Sequence, residues 1–525
     1  VAYGGRDIPC CEAPYGAPLG GVLVGCGWAA GPKVAPGWGG VPYGEPCCGV
    51  AGACQRSCSE PKREGTCCPG VDDGGVGAEA SGFEGWSGVL LSFIFCSFSM
   101  PYQSDNRVCA FRMPPMTFAY GLSLFCMDVL PGAWRRTAAG AGLLSPDGRV
   151  APTIFAEMSA AAARTESVNL GQGFPDEDGP AAVLEAARDA IAQGANQYPP
   201  GRGIPDLLAA ISEHQRRFYG LDVDPDTEIL VTAGATEALT ATLLALIDGP
   251  DDEVVVFEPY YDSYAAAVAL AGARLRTVAL RRPDFQPDLD ELAAVVGERT
   301  RLILVNDPHN PTGAVFTPEV QAELVRLATL HDAVIVTDEV YEHLSFHSPH
   351  VPIATLPGAA ERTLTISSAG KTFSTTGWKI GWVHGPAALI TAVLTVKQFL
   401  TYVNGSAFQP AIAVGLRLPD AYFHDAAATM QRKHRLLGDA LRAAGFDVFA
   451  PQGGYFTVAD ATALGGADAA AFCRALPERV GVAAIPISAF VTPANQQPYA
   501  GLVRFAACKR VEVLEEAGRR LSGLR

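Results

Sequence analysis

From residue 150 onward, apolar positions follow two alternating periods. Stretches 181–192, 204–219, 236–246 and 318–330 repeat apolar residues at helical spacing, with charged residues on the opposite face. Between them lie short apolar runs rich in β-branched residues, at 228–232, 253–257, 302–305, 333–337 and 363–367. Strands alternating with amphipathic helices predict an α/β fold, a mostly parallel sheet with helices on both faces. Ligands bind such sheets at the carboxyl ends of the strands, so the residues just after each run are the candidates for chemistry. Beyond residue 430 the order changes. A helix over 431–444 stopped by Gly445, strands at 446–449, 454–458 and 501–506, and a last helix at 511–521 predict a smaller α+β domain.

Residues 1–148 show neither period. Rich in Gly, Pro and Cys, they lack the apolar surface that offsets chain entropy, and are expected to be a disordered extension or sequence upstream of the native start. Met113, Met116, Met127 and Val150 are candidate later starts. Of 14 cysteines, 12 lie at or before Cys126, yet adjacent pairs such as Cys10-Cys11 and the absence of histidine among them give no metal-ligand spacing. The remainder reads as a reduced, cytoplasmic protein. The expected boundaries are 1–148 for the extension and 149–525 for the folded region. Within the latter, a large part covers about 180–430, and a small domain covers about 431–525 plus 149–179.

The net charge of −16 argues against a nucleic-acid surface. The longest apolar run, 89–98, is shorter than the about 18 residues that span a bilayer. Residues 116–130 resemble the apolar core of a signal peptide only faintly.

Lysine is scarce, seven in the chain, and two fall in one window: Ser367-Ser368-Ala369-Gly370-Lys371-Thr372-Phe373, then Gly377-Trp378-Lys379-Ile380-Gly381-Trp382. Small residues around Lys371 leave its amine unobstructed. Four further motifs follow strand ends: Ala233-Gly234-Ala235-Thr236, Glu258-Pro259-Tyr260-Tyr261, Asn306-Asp307-Pro308-His309-Asn310-Pro311-Thr312-Gly313, and Thr337-Asp338-Glu339-Val340-Tyr341. Gly234 and its neighbours open a helix whose N–H groups suit a phosphate, or are simply an N-cap. An acid at the end of a buried strand, as at Asp338, needs a partner. Arg504, in the apolar run Leu502-Val503-Arg504-Phe505, needs an anion, and Arg grips a carboxylate with two parallel bonds.

Taken in this order, the motifs resemble the class I/II aminotransferases of fold type I, close to the succinyldiaminopimelate and kynurenine aminotransferase branch. The resemblance covers about residues 150–525. It implies that Lys371 binds pyridoxal 5'-phosphate covalently. Gly234, Ala235, Thr236, Ser368 and Lys379 then hold its phosphate, where many relatives carry Arg in place of Lys379. Tyr261 stacks on the ring, Asn310 and Tyr341 bond its phenolic oxygen, Asn306 supports that network, and Asp338 keeps the ring nitrogen protonated. Arg504 anchors the substrate α-carboxylate, Asn310 also meets the substrate, and the loop carrying Gly173 and Phe174 closes over it. Tyr198 reaches the phosphate of a neighbouring subunit, implying a homodimer. Tyr260 or Tyr264 line the pocket, while His309 and Glu339 read as structural.

The implied reaction is a two-stage transamination between an amino acid and a 2-oxo acid, with Lys371 as base and acid. No metal and no membrane or nucleic-acid partner is expected. The segments 171–180, 480–486 and Cys508-Lys509-Arg510 most resemble succinyldiaminopimelate aminotransferases of lysine biosynthesis. A kynurenine, glutamine or methionine aminotransferase, or a cysteine-conjugate β-lyase, is the alternative. Lys397 or Arg202 is expected to meet a distal carboxylate, with Tyr402 and Phe408 lining the side-chain pocket from the partner subunit.

Overall fold

The valine run at 253–257 is shielded on both sides: Val254, Val255 and Val256 are each 0% exposed. That is the signature of a strand inside a sheet covered on both faces. The structure, a computed structural model, describes residues 132–145 and 147–524. Among these an eight-stranded sheet runs in the order Ile229–Ala233, Ile380–His384, Thr363–Ser368, Val334–Asp338, Thr300–Asn306, Glu253–Glu258, Arg274–Arg281, Gln286–Pro287. Pairing is parallel from Thr363–Ser368 through Arg274–Arg281. Ile380–His384 runs antiparallel to both its neighbours.

Successive side chains of a strand point to opposite faces. Val254 and Val256 therefore enter one core, with Leu239, Val268 and Val393 from three helices. Val255 and Phe257 enter another, shared with the small domain. Leu230 joins the first core, while Ile229 and Val231 pack under the helices Ala181–Ala192, Pro205–Tyr219 and Phe408–Leu416. Full burial of each such side chain contributes about 1.5–3 kcal/mol.

The small domain is a four-stranded antiparallel sheet, in the order Asp447–Phe449, Phe456–Asp460, Leu502–Ala506, Ile485–Pro486. Val168–Asn169 pairs in parallel with Val482–Ala483. The segment before residue 180 is thus tied to the C-terminal region.

The expected helices 181–192, 318–330 and 511–521 match Ala181–Ala192, Pro318–Leu330 and Val511–Leu521. Four expectations need correction. The helix placed at 431–444 begins eleven residues earlier, as Asp420–Ala444; alanines 426–428 are strong helix formers that give no apolar period. Ile380–His384, read only as part of a loop motif, is a strand at 0–2% exposure across its ends. Gly381 admits it there, because a Cβ would lie 2.5 Å from the Gly234 carbonyl carbon. Lys371 sits on a helical turn, Ala369–Thr372, rather than in an open loop.

Finally, the extension does not run unpatterned to residue 148. Ala133–Gly140 is a helix, and Arg136 Nε donates to Ala269 O at 2.8 Å. At eight residues it is too short to show a period, and its fit on the helix Ser263–Ala271 relies on Gly140 facing Ala269. The expectation for 1–131 lies outside the described residues.

Candidate active site

Three adjacent parallel strands end on polar residues that would be costly to bury without partners. Asn306 and Asp338 are register partners across two of them, and Ser368 ends the third. Asn306 donates through Nδ2 to Asp338 O (2.7 Å), and its Oδ1 accepts from the Asn310 N–H (2.7 Å). One side-chain amide thereby fixes the turn that carries Asn310. Burial pushes the Asp338 carboxyl up, against the hydroxyl of Tyr264, which donates to Oδ2 at 2.6 Å and pulls it down. Tyr264 is not a lining residue, as expected from the sequence, but the support of Asp338.

These residues face a cavity of about 380 Å³ at the carboxyl ends of the strands. Gly173, Phe174, Gly234, Ala235, Thr236, Tyr261, Asn306, Asn310, Asp338, Tyr341, Ser368, Lys371, Lys379 and Arg504 all line it. Of the residues predicted for the site, Tyr198 does not; it is 82% exposed and meets the ring of Tyr402 edge-on.

At one end, the helix Gly234–Leu246 begins with Gly234 at φ +73°, and a Cβ there would come within 3.0 Å of Lys379 Nζ. Lys379 Nζ also lies 3.4 Å from Thr236 Oγ1. Free N–H groups at a positive helix end, a hydroxyl and an ammonium form a cradle for a phosphate. In the middle, Lys371 Nζ donates to Gly173 O (3.1 Å). Burial lowers its pKa, while Cys508 and Asp338 act in the opposite direction. A buried amine that gives up its proton more readily than usual suits a nucleophile and a base. The Tyr455 hydroxyl pins the turn by donating to Lys371 O (2.7 Å).

At the other end, Arg504 donates to Asn310 Oδ1 (3.0 Å) and Gly171 O (2.8 Å), and its Nε has no partner. Its guanidinium lies 3.8 Å from the ring centre of Phe456, 4.6 Å from Phe490 and 5.4 Å from Phe155. Burial lowers its pKa to about 10, so it stays charged at neutral pH. A buried cation with donors to spare fits a carboxylate. Gly173 is required beside it, because a Cβ would meet the Phe456 ring at 2.3 Å.

Sequence reasoning missed this aromatic surround, whose rings come from three distant segments. It also erred on the distal cations. Lys397 is buried, donating to Gly201 O (3.0 Å) and Tyr402 O (2.5 Å), and Arg202 donates to Thr227 O and Ile229 O. Both side chains serve backbone carbonyls rather than the cavity. Within its own subunit Phe408 stacks on Trp378. Glu339 is structural as expected, held by His350 Nε2 at 2.8 Å, and His309 is buried against Thr312.

Residues 165–521 match the family model described as aminotransferase class I and II. The chain belongs to this family. It is therefore an aminotransferase. It is 52% identical over 384 residues to the probable N-succinyldiaminopimelate aminotransferase of Mycobacterium tuberculosis, covering 71% of this chain and 96% of that one. It is 39% identical over 373 residues to the methionine aminotransferase of Escherichia coli, covering 71% and 96%. The solved structure of N-succinyldiaminopimelate aminotransferase from Mycobacterium tuberculosis superposes with a TM-score of 0.71 at 49% identity, over 76% of this chain and 100% of that one. Among the described residues, no helix is long and apolar enough to cross a membrane.

Proposed function

We propose that this aminotransferase uses pyridoxal 5'-phosphate and transfers the amino group between N-succinyldiaminopimelate and 2-oxoglutarate, as a cytoplasmic homodimer. The observation that carries the cofactor is the single cavity in which an amine, a buried acid and an anion cradle meet: Lys371, Asp338, and Gly234 to Thr236 with Lys379. The donor set fits the group at each end. The cradle takes the phosphate, with Ser368 adding a hydroxyl, and Asp338 takes the ring nitrogen. Asn310 and Tyr341 take the phenolic oxygen, and Tyr261 takes the ring face. Bound there, pyridoxal phosphate supplies an electron sink that stabilises charge at the substrate α-carbon.

The chain's own residues supply the rest. Arg504 and Asn310 grip the α-carboxylate and so orient the α C–H bond. Lys371 Nζ, its pKa lowered by burial, takes the α-proton and later returns one, a transfer that contributes about 10²–10⁴-fold to rate. Asp338, steadied by Tyr264, balances a positive ring nitrogen. Phe174, whose carbonyl accepts from Lys509 Nζ (2.7 Å), lines the cavity and would limit water there once substrate is bound. In this reading Tyr198, exposed in one subunit, meets the phosphate bound to its neighbour.

The identity to the mycobacterial relative supports the substrate. A methionine-directed enzyme is the second reading, supported by the Escherichia coli relative. A panel of amino donors, each reacted with the holoenzyme without acceptor, separates them. Rapid loss of the cofactor's visible band with N-succinyldiaminopimelate, and none with methionine or kynurenine, is expected. The opposite pattern removes the substrate assignment.

A further inference from the structure

Behind the strand that ends in Asp338, the chain turns its next polar residues away from the cavity. Glu342 and His343 meet His214 there, which comes from the helix Pro205–Tyr219. His214 and His343 are 129 residues apart in sequence, so no spacing motif announces them. The two Nε2 atoms lie 2.8 Å apart, and one ligand atom from each of the three residues falls within 4.8 Å of the others. We propose that His214, Glu342 and His343 form a binding site for a divalent transition-metal ion of the zinc type, apart from the catalytic cavity.

Three features point beyond a bare pair of imidazoles. First, the pair is arranged as metal-bound histidines are. His214 Nδ1 lies 3.2 Å from Leu416 O, which fixes its N–H there and leaves the lone pair on Nε2, aimed at His343. A carbonyl on the remote ring nitrogen is the usual support of a metal-bound imidazole. Two ring nitrogens on one tetrahedral zinc are about 3.3 Å apart, from Zn–N distances of about 2.0–2.1 Å, so a shift of about 0.5 Å suffices for the two imidazoles, and the Glu342 oxygen closes in from within 4.8 Å.

Second, Glu342 is a buried acid, 4% exposed. Its Oε1 accepts from Ser367 Oγ at 2.6 Å, and among the described residues no ion pair neutralises it. Arg217, which flanks the same aromatic rings, is paired with Asp420. His350 bonds Glu339 and acts on Glu342 only through space. A hydrogen bond between two neutral imidazoles accounts for their closeness but gives the buried Glu342 carboxyl no directly bonded cation; a divalent ion would supply one.

Third, there is a way in. A second cavity of about 330 Å³, which Lys371 also lines, is bordered by Lys433 and Glu177 and reaches His343. The rings of Phe218 and Phe423 close the other sides, both within 5.3 Å of His214. On binding, the proton on His343 Nε2 moves to Nδ1, both Nε2 lone pairs and a Glu342 oxygen coordinate the ion, and water from the cavity completes the shell. The ion would clamp the helix Pro205–Tyr219 to the turn after Asp338.

The test uses the full chain with its accessible thiols alkylated, since 12 cysteines lie at or before Cys126. Chelator-stripped protein is titrated with Zn²⁺, and bound zinc is counted by elemental analysis. Wild type should hold one more equivalent than His214→Ala or His343→Ala, with a zinc-dependent rise in Tm that both variants lose. Glu342→Gln, closest in shape, should weaken that equivalent by at least about tenfold. Anomalous scattering from a zinc-soaked crystal should peak between the two Nε2 atoms. Equal stoichiometry in wild type and folded variants overturns the site, as does a crystal without that peak.

Discussion

Arg504 and Lys397 are both cations buried to 2% exposure or less, yet they sit in regions with opposite logic. Lys397 gives its ammonium to two carbonyls, Gly201 O and Tyr402 O, and so ties the loop at 401–405 to the turn before the helix Pro205–Tyr219. Arg504 makes two bonds as well, but its Nε has no partner, and three phenyl rings hold the group at the cavity wall. Lys371 is served by one carbonyl alone. A buried cation marks a ligand site where it borders a cavity and the chain leaves most of its donors unspent; where backbone carbonyls take most of them, the same charge is a structural tie.

The sharpest way to break this comparison is to delete each lysine. Lys371→Ala should lower the rate of a single turnover by about 10²–10⁴-fold or more while stability to denaturant changes little. Next in size, Arg504→Gln should lower kcat/KM for both the amino donor and the oxo acid by about 2–5 kcal/mol, mostly through KM. Lys397→Met should do the reverse of Lys371→Ala. It leaves two buried carbonyls unpaired and should cost about 1–3 kcal/mol of stability in a urea titration, with kcat per folded molecule unchanged. A loss of kcat in Lys397→Met at full stability would erase the distinction. Tyr264→Phe, which removes one bond to Asp338, should weaken cofactor binding by about 0.5–1.5 kcal/mol.

The gentlest effect is a slope with pH. Burial holds His214, His384 and His434 down to about 4 and His309 to about 3. The unfolded chain takes up these protons near the ordinary pKa of about 6.5, while the folded chain refuses them. Stability should thus be full above pH about 6.5 and fall steadily as the pH drops toward 4. His350, raised to about 9 by Glu339 against its own burial, acts oppositely. Its contribution is present below pH about 6.5 and is lost as pH rises through 9. Urea midpoints measured across this range check both limbs.

The residues legible in the sequence were those whose role is local. Asp338, Asn306, Ser368 and Gly234 each stand at the end of an apolar strand run, and the alternation that predicts the strand also predicts that they face a ligand. Tyr264 was read as a pocket-lining aromatic rather than a support, because its partner Asp338 is 74 residues away. The ring surround of Arg504 was hidden for the same reason. Lys397 and Arg202 were misread because nothing in sequence shows which backbone carbonyls a long side chain will meet. The strand Ile380–His384 was missed because its register depends on Gly381 passing the Gly234 backbone, a contact between distant segments.

The central claim is that Lys371 is the residue joined to the cofactor. Holoenzyme reduced with borohydride, digested and sequenced by mass spectrometry tests it directly. A phosphopyridoxyl adduct on Lys371, and none in Lys371→Ala, is the predicted result. An adduct on Lys379 or another lysine, with Lys371 unmodified, would contradict the account.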